Sequence, residues 1–480
     1  MNARCCSAVM GRTSIVTSPN LPEEPSGGRV PGSHRDRLRR RASGRARPGT
    51  VLGVPPELVT SNNEAMQPTR LANQLLELYL GSRAARVAAV LFLAWGVNCL
   101  VFGIPTVDPW IPYRIDLDVY RLGAQVFRDG GDLYGVLPDT AVGANLPFTY
   151  PPIAAVLFVP LTLFSFDVAN VIFTLVTLAA LLVVVLLVVR EVLDRRLAEA
   201  AWVAVALASV LMWIIPVRET IEFGQVNVVL MALVVIDVLA GRGRWWQGSL
   251  VGLALAIKLT PAVFLAYFLA RRDWRALLVG IGSALVYTGI GFLITWDASV
   301  QYWSETLSDP TRIGELSYVS NQSLNGLLNR LWLGESTTTL LWFGICAVLG
   351  LSSLLLMHLL CRRGHDVVAM LVMGIYALLA SPVSWAHHWV WLVPALIVLL
   401  ALGLRTSGAT GVLLLGTTAL GVLVFYSQGI WHVEPEPSAA APWEAWESVV
   451  GNSYVIWGIL FFATAWVLAT RAPREVREGL

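Results

Sequence analysis

The sequence predicts an all-α polytopic membrane protein with about twelve apolar helical segments. Three observations predict it. Hydrophobic residues make up 56% of the 480-residue chain and charged residues only 14%, where a soluble domain is about 25% charged. Mean hydropathy is +0.65. The apolar residues gather in runs that approach the length needed to cross a ~30 Å hydrocarbon core, and the basic residues gather between those runs.

Residues 1–65 are rich in Arg, Pro, Gly and Ser, and the stretch 35–47 carries seven arginines. This composition predicts a disordered cytoplasmic extension rather than an apolar signal core. Met66 is a candidate alternative start, and residues 66–480 form the membrane-embedded domain. Residues 71–80 read as a short amphipathic helix on the membrane surface. The apolar segments follow at about 84–104, 150–165, 168–189, 201–217, 224–240, 248–270, 276–296, 338–360, 366–381, 387–403, 409–426 and 452–470.

Arginine placement sets the orientation. The N-terminal region, Gly241–Arg244, Arg271–Arg275, Cys361–Arg363 and the tail from Arg471 are basic, which predicts a cytoplasmic position for them and for both termini. The loops 105–149, 297–337 and 427–451 are acidic and rich in Trp and Tyr, so they are expected outside. Segment 248–270 has basic loops on both sides, which suggests a broken, re-entrant pair of half-helices. Pro261 places the break at Lys258–Pro261, because proline removes a donor and disfavours helix at the residue before it. Segment 150–165 is also short for a span, at roughly 24 Å; if both are partial spans every basic loop falls inside, and if both are full spans Gly241–Arg244 lies outside, with both termini cytoplasmic either way. The cysteines Cys5, Cys6, Cys99, Cys346 and Cys361 indicate neither a disulfide framework nor a metal site.

Lys258 is the chain's single lysine, and it lies in the middle of an apolar segment. A charge near the bilayer centre costs roughly 2.5–3.5 kcal/mol on insertion scales. Snorkelling is the plain alternative, but Lys258 is roughly 15 Å from either end of a straight helix. A cation waiting for an anion in a cavity explains it better.

Four further constellations could carry chemistry. The first outer loop holds Asp116 and Asp118, and an acid at the membrane boundary can act as general base on a hydroxyl. Trp110, Tyr113, Tyr120, Tyr134 and Tyr150 surround them and suit stacking on sugar faces. Arg218, Glu222, Gln225 and Asn227 stand at the end of two spans, where they form either interhelical contacts and a surface ion pair or the polar wall of a cavity. His387 and His388 open a span; adjacent helical positions point about 100° apart, so they suit a phosphate or glycosidic oxygen better than one shared metal. Asn321, Gln322 and Asn325 form an uncharged polar run suited to hydroxyl-rich ligands.

Absences narrow the classes. The chain has no Walker A motif, no H-E-x-x-H, no paired C-x-x-C and no G-x-S-x-G. No soluble nucleotide-binding domain fits between the spans, so an activated donor would be lipid-borne or arrive from outside. Nothing points to nucleic acid, and no cofactor is demanded. A transporter or flippase of lipid-linked sugars would also want a buried cation, but it does not need the acidic, aromatic outer loop. A scaffold without activity is the third class.

Five motifs in order add a resemblance. They are D-L-x-V-Y (Asp116–Tyr120), T-Y-P-P (Thr149–Pro152), G-Q-x-N (Gly224–Asn227), A-x-x-x-K-x-x-P (Ala254–Pro261) and S-P-x-S-W-x-H-H (Ser381–His388). Together, over about residues 84–470, the chain resembles the actinobacterial membrane mannosyltransferases of glycosyltransferase family 87. The resemblance implies a GT-C fold and a polyprenyl-phosphate-mannose donor. It implies mannosylated phosphatidylinositol-type acceptors, lipomannan or lipoarabinomannan, and an α-(1→2) linkage made on the outer face of the plasma membrane. It also implies an aspartate base in the first outer loop. Asp116 holds the D of D-L-x-V-Y, with Asp118 close by. In that reading Lys258, Arg218, His387 and His388 meet the donor phosphate. Tyr120, Tyr150, Glu222, Gln225, Asn227, Asn321, Gln322 and Asn325 meet sugar or acceptor. A β-linked donor giving an α-linked product needs one displacement and one base, and no metal is demanded.

Overall fold

A computed structural model describes residues 68–103, 111–309, 312 and 314–471. The 1–65 extension with Cys5 and Cys6, Met66, Trp110 and the basic tail beyond Arg471 lie outside the described residues. Among the described residues helices are the regular secondary structure, and β pairing is limited to two isolated bridges.

The twelve apolar stretches coincide with helices, but they differ in length. Seven are long and apolar enough to cross a membrane alone: Arg83–Phe102, Phe166–Leu193, Trp274–Ile294, Glu335–Arg362, Ala386–Arg405, Gly408–Tyr426 and Ser453–Thr470. The expected 201–217 span is two helices, Leu197–Leu211 and Ile215–Phe223, bent by 77°. Ile214 is extended at the bend, and Pro216 starts the second helix, where its missing N–H is an orphan anyway. Four stretches are shorter helices, at Pro152–Leu163, Asn227–Ala240, Thr260–Ala270 and Asp366–Ala380.

The local sequence explains several ends. Ser82, Ser165 and Asp273 each accept a hydrogen bond from the backbone N–H three residues on, which caps the helices Arg83–Phe102, Phe166–Leu193 and Trp274–Ile294. The amphipathic stretch is the helix Pro68–Gly81. The long helices expose leucines, valines and phenylalanines outward, as a lipid-facing surface requires. Leu392–Arg405 packs along Gly408–Tyr426, and Phe166–Leu193 along Leu197–Leu211 and Asn227–Val235. One continuous buried cluster runs through the bundle and contains Trp389, Trp457 and Tyr454.

Lys258 is not in mid-helix. The helix Ser249–Ile257 stops at it, Lys258 itself is extended (φ −156°, ψ 132°), and a 3-10 turn over Thr260–Phe264 begins next. Pro261 stops the α-helix from running on, since it has no N–H to bond back to the Ile257 carbonyl, and it sits instead at the start of the 3-10 turn.

Candidate active site

Asp116 and Asp118 share the first turn of Ile115–Arg128. Two positions apart, at 100° per residue, they face nearly opposite ways. Asp118 is half-buried, and its Oδ2 accepts from the Tyr113 hydroxyl at 2.8 Å and the Ala141 N–H at 2.9 Å. It ties the helix to the loop that follows. Asp116 points inward, is 3% exposed, and accepts at Oδ2 from Gln225 Nε2 at 2.7 Å. Burial pushes its carboxyl up to about 7, against the lowering pull of the Gln225 hydrogen bond and the Lys258 charge.

The turn Gly224–Asn227 serves the acid and the cation together. Gly224 ends the helix Ile215–Phe223 in left-handed backbone (φ 73°), which an L side chain rarely adopts. A Cβ there would meet Leu117 Cβ at 2.7 Å and Arg114 Cβ at 3.0 Å, so the turn lies directly on the Asp116 helix. Gln225 then gives its amide N–H to Asp116. Its Oε1 accepts from the hydroxyls of Tyr120 at 3.0 Å and Tyr150 at 3.3 Å. Two residues on, Asn227 Oδ1 accepts from Lys258 Nζ at 3.0 Å, while its Nδ2 donates to the His387 carbonyl at 3.2 Å.

Lys258 Nζ also lies 3.2 Å from His388 Nε2 and 5.6 Å from the centre of the Tyr150 ring. With the ammonium charged, His388 Nε2 must accept, which puts the imidazole proton on Nδ1. Lys258 and Asp116 do not pair directly. Lys258, Asn227 and His388 line a small cavity of about 40 Å³, and Phe264, Met231 and Trp391 supply apolar surface. The arrangement sets a buried carboxyl near one buried cation, with apolar lining beside the cation.

The other expected residues divide. His387 is buried beside His388, but its ring packs edge-on against Phe223 at 5.1 Å and neither ring nitrogen has a hydrogen-bond partner. Its carbonyl does the connecting, accepting from Thr220 Oγ1 at 2.8 Å as well as from Asn227. Tyr120 is not an open platform for a sugar. It is fully buried, stacks on Phe158 at 4.5 Å and aims its hydroxyl at Gln225. Arg218 and Glu222 pair with each other at 2.9 Å, and among the described residues no hydrogen bond joins them to Asp116 or Lys258.

The polar run 321–325 braces neighbouring backbone. Asn321 Oδ1 accepts from the Ser384 N–H at 3.0 Å, Gln322 Nε2 donates to Val319 and Gly451 carbonyls at 2.6 Å each, and Asn325 Nδ2 donates to the Pro382 carbonyl at 3.1 Å. With the Gln322 N–H to Ser384 carbonyl bond at 2.7 Å, these amides clamp the segment that delivers His388. Asn321 and Asn325 also accept from Ser323 Oγ and Asn329 Nδ2, while Gln322 Oε1 is buried without a hydrogen-bond partner among the described residues.

Sequence reasoning assigned no role to Arg114. It is 1% exposed and donates to the Ile221 carbonyl at 2.7 Å, Asn170 Oδ1 at 2.6 Å, the Pro112 carbonyl at 3.0 Å and the Leu100 carbonyl. It lashes the Asp116 helix to three neighbouring helices. Among the described residues, no three His, Cys, Asp or Glu side chains gather as metal ligands.

Comparison with known proteins adds an independent line. The family model described as glycosyltransferase family 87 matches residues 148–382. A polyprenol-phosphate-mannose-dependent alpha-(1-2)-phosphatidylinositol mannoside mannosyltransferase of Mycobacterium tuberculosis is 38% identical over 385 residues, covering 77% of this chain and 89% of the relative. The protein of the same description from Mycolicibacterium smegmatis is 39% identical over 388 residues, covering 77% of this chain and 86% of its own. A polyprenol-phosphate-mannose-dependent alpha-(1-2)-phosphatidylinositol pentamannoside mannosyltransferase of that species is 36% identical over 350 residues, covering 70% of this chain and 82% of the relative. No solved structure matches.

Proposed function

The chain belongs to glycosyltransferase family 87 and is a membrane mannosyltransferase, and from that premise we propose that it moves mannose from polyprenyl-phosphate-mannose to a mannosylated phosphatidylinositol-type lipid. The linkage made is α-(1→2), with inversion at the anomeric carbon. The reaction takes place on the outer face of the plasma membrane, in a GT-C fold of about twelve membrane segments with both termini cytoplasmic. Support for the orientation is the basic residues at Gly241–Arg244, Arg271–Arg275 and Cys361–Arg363, against the acidic, aromatic character of 105–149, 297–337 and 427–451.

One observation carries the chemistry: Asp116 and Lys258, both buried, are held by two amides of a single turn. Asp116 takes the proton of the acceptor hydroxyl as that oxygen attacks the anomeric carbon. The bond from that carbon to the phosphate oxygen breaks, and its electron pair leaves with the phosphate. Lys258, aided by His388, offsets the charge that develops there. Burial keeps Asp116 basic enough for this role. Asp118, Arg218, Glu222 and the amides 321, 322 and 325 support the site from outside it.

The test is direct. Purified protein with radiolabelled polyprenyl-phosphate-mannose and a phosphatidylinositol mannoside should yield a longer mannolipid sensitive to an α-(1→2)-specific mannosidase. Donor moved across a bilayer without transfer would instead favour a flippase.

A further inference from the structure

We propose that the protein holds the phosphate of one anionic phospholipid in a basic pocket between the helix ends at Arg272 and Arg362, with an acyl chain along the outer face of Glu335–Arg362. The pocket is about 520 Å³, within the ~300–1,000 Å³ of small-ligand sites. Arg271, Arg272, His358, Arg362 and Asp366 are among its lining residues. It shares none of them with the Lys258 cavity.

Charge is the first argument. Three arginines of the lining stand against one carboxylate. Asp366 is already taken by Arg271, with Arg242 at 3.7 Å. Arg272 and Arg362 are exposed, and among the described residues neither guanidinium has a hydrogen bond or an ion pair. Asp273, the next residue, spends Oδ1 on the Ala276 N–H at 3.0 Å. A phosphate has oxygens enough to accept from both guanidiniums.

The backbone is the second argument. The helices that end at Ala270 and Arg362 close with the same turn. The Asp273 N–H donates to the Phe268 carbonyl at 2.9 Å, and the His365 N–H to the Leu360 carbonyl at 3.0 Å. Such a turn puts one residue in left-handed backbone, usually glycine. Gly364 follows that preference at φ 77°, whereas the matching residue of the other turn is Arg272, at φ 56°. Its side chain lines the pocket and bonds no helix-end carbonyl, so the turn itself gives no reason for an arginine.

A lipid, rather than a soluble anion, follows from the face of Glu335–Arg362. Leu351, Leu355, His358 and Arg362 recur there at helical spacing. Leu351 and Leu355 are 70% and 53% exposed, and Leu269, beside Ala270 on the other wall, is 43% exposed. From Leu351 to Arg362 the helix rises about 16 Å, against ~15 Å for half a hydrocarbon core. The stripe passes from leucine to guanidinium in the order in which a phospholipid presents chain and phosphate. Placement in the cytoplasmic leaflet rests on the orientation proposed above; the choice of ligand does not.

The test follows the anisotropy of a fluorescent short-chain phosphatidylglycerol with the full chain in neutral detergent. Unlabelled phosphatidylglycerol should compete about 25-fold better than phosphatidylcholine of the same chains, roughly fivefold for each unpaired arginine. Inorganic phosphate, which has no chain to bury, should compete roughly tenfold or more less well than phosphatidylglycerol. Arg272→Gly supplies the residue the turn prefers, so it should keep or raise the melting temperature while weakening binding about fivefold. Adding Arg362→Gln should remove the headgroup preference. Binding should survive Lys258→Met, which separates the pocket from the donor cavity. Equal competition by phosphatidylcholine, equal displacement by inorganic phosphate, unchanged binding in the double variant, or binding lost in Lys258→Met would overturn the proposal. A chain that binds in this way but transfers no mannose would fail the function proposed above and leave the pocket standing.

Discussion

Asp116→Asn separates the acid from everything else at its position. The asparagine can still accept from Gln225 Nε2, now at 2.7 Å, through its own oxygen, so the turn and helix need not move. What disappears is a carboxylate that burial has brought up to about 7. The proton-accepting form is the deprotonated one. In the parent enzyme kcat/KM should therefore fall about tenfold per unit below pH 7 and level off above it, since this parameter reports the free enzyme's groups. At pH 8 the variant should lose 10²-fold or more, a barrier increase of roughly 2.7 kcal/mol. It should also lose the acidic limb. Asp118→Asn is the control. Its oxygen can keep both the Tyr113 and Ala141 contacts, and it should cost less than about tenfold with the limb intact. Initial rates of mannosyl transfer at limiting donor, over about two units either side of pH 7, decide the matter. A near-normal Asp116→Asn, or the same acidic limb persisting in that variant, would refute the assignment.

Lys258→Met fills the space without the charge. It should slow transfer by roughly 30-fold to several thousand-fold, the range for removing one partner of a desolvated charge contact. It should also move the acidic limb to higher pH, because the ammonium lowers the Asp116 pKa; a folded variant with parental rate and limb would remove Lys258 from the site. Lys258→Arg should recover transfer only in part, since a planar guanidinium is not a point charge. Gly224→Ala must carry left-handed backbone and a Cβ 2.7 Å from Leu117 Cβ. It should lower the melting temperature and, by loosening the Gln225 contact, shift the limb upward, and unchanged melting and rate would contradict the close approach. Single cysteines in 105–149, 297–337 or 427–451 of a Cys-free protein should react with an impermeant reagent on intact spheroplasts. Labelling at 242 or 272 instead would invert the topology.

What the sequence revealed depended on how a residue's cost shows in one dimension. A lone lysine in an apolar segment is conspicuous, because only a partner or a cavity makes it tolerable. Pro261 likewise announces the break, which the structure places at Lys258. Hydropathy found the helical stretches but could not tell a straight span from a bent one, and the 77° bend before Ile215 turns on three residues. The asparagines and glutamine of 321–325 show their backbone contacts only in three dimensions, because an amide that clamps backbone and one that binds a hydroxyl are the same residue until partners are known. Arg114 escaped for the converse reason. It looked like one more loop arginine, and the carbonyls it satisfies lie on distant segments.

The spacing of Gly224, Gln225 and Asn227 explains how one small site keeps both an active base and an available cation. Had Asp116 and Lys258 met directly, the pair would have lowered the acid's basicity and occupied the ammonium before any phosphate arrived. Removing either partner's contacts altogether would leave a buried charge uncompensated. Neutral amides avoid both outcomes. Gln225 satisfies Asp116 by donating, and Asn227 satisfies Lys258 by accepting, each without contributing net charge. Two residues apart at the start of one helix, they reach in different directions, and Gly224 lets that turn sit against the acid's own helix. The Tyr150 ring stands beside the ammonium and its hydroxyl reaches Gln225, so the two ends stay linked through groups that carry no charge. Incoming phosphate can then take the ammonium that Asn227 and His388 hold by hydrogen bonds alone, and Asp116 keeps its basicity for the hydroxyl.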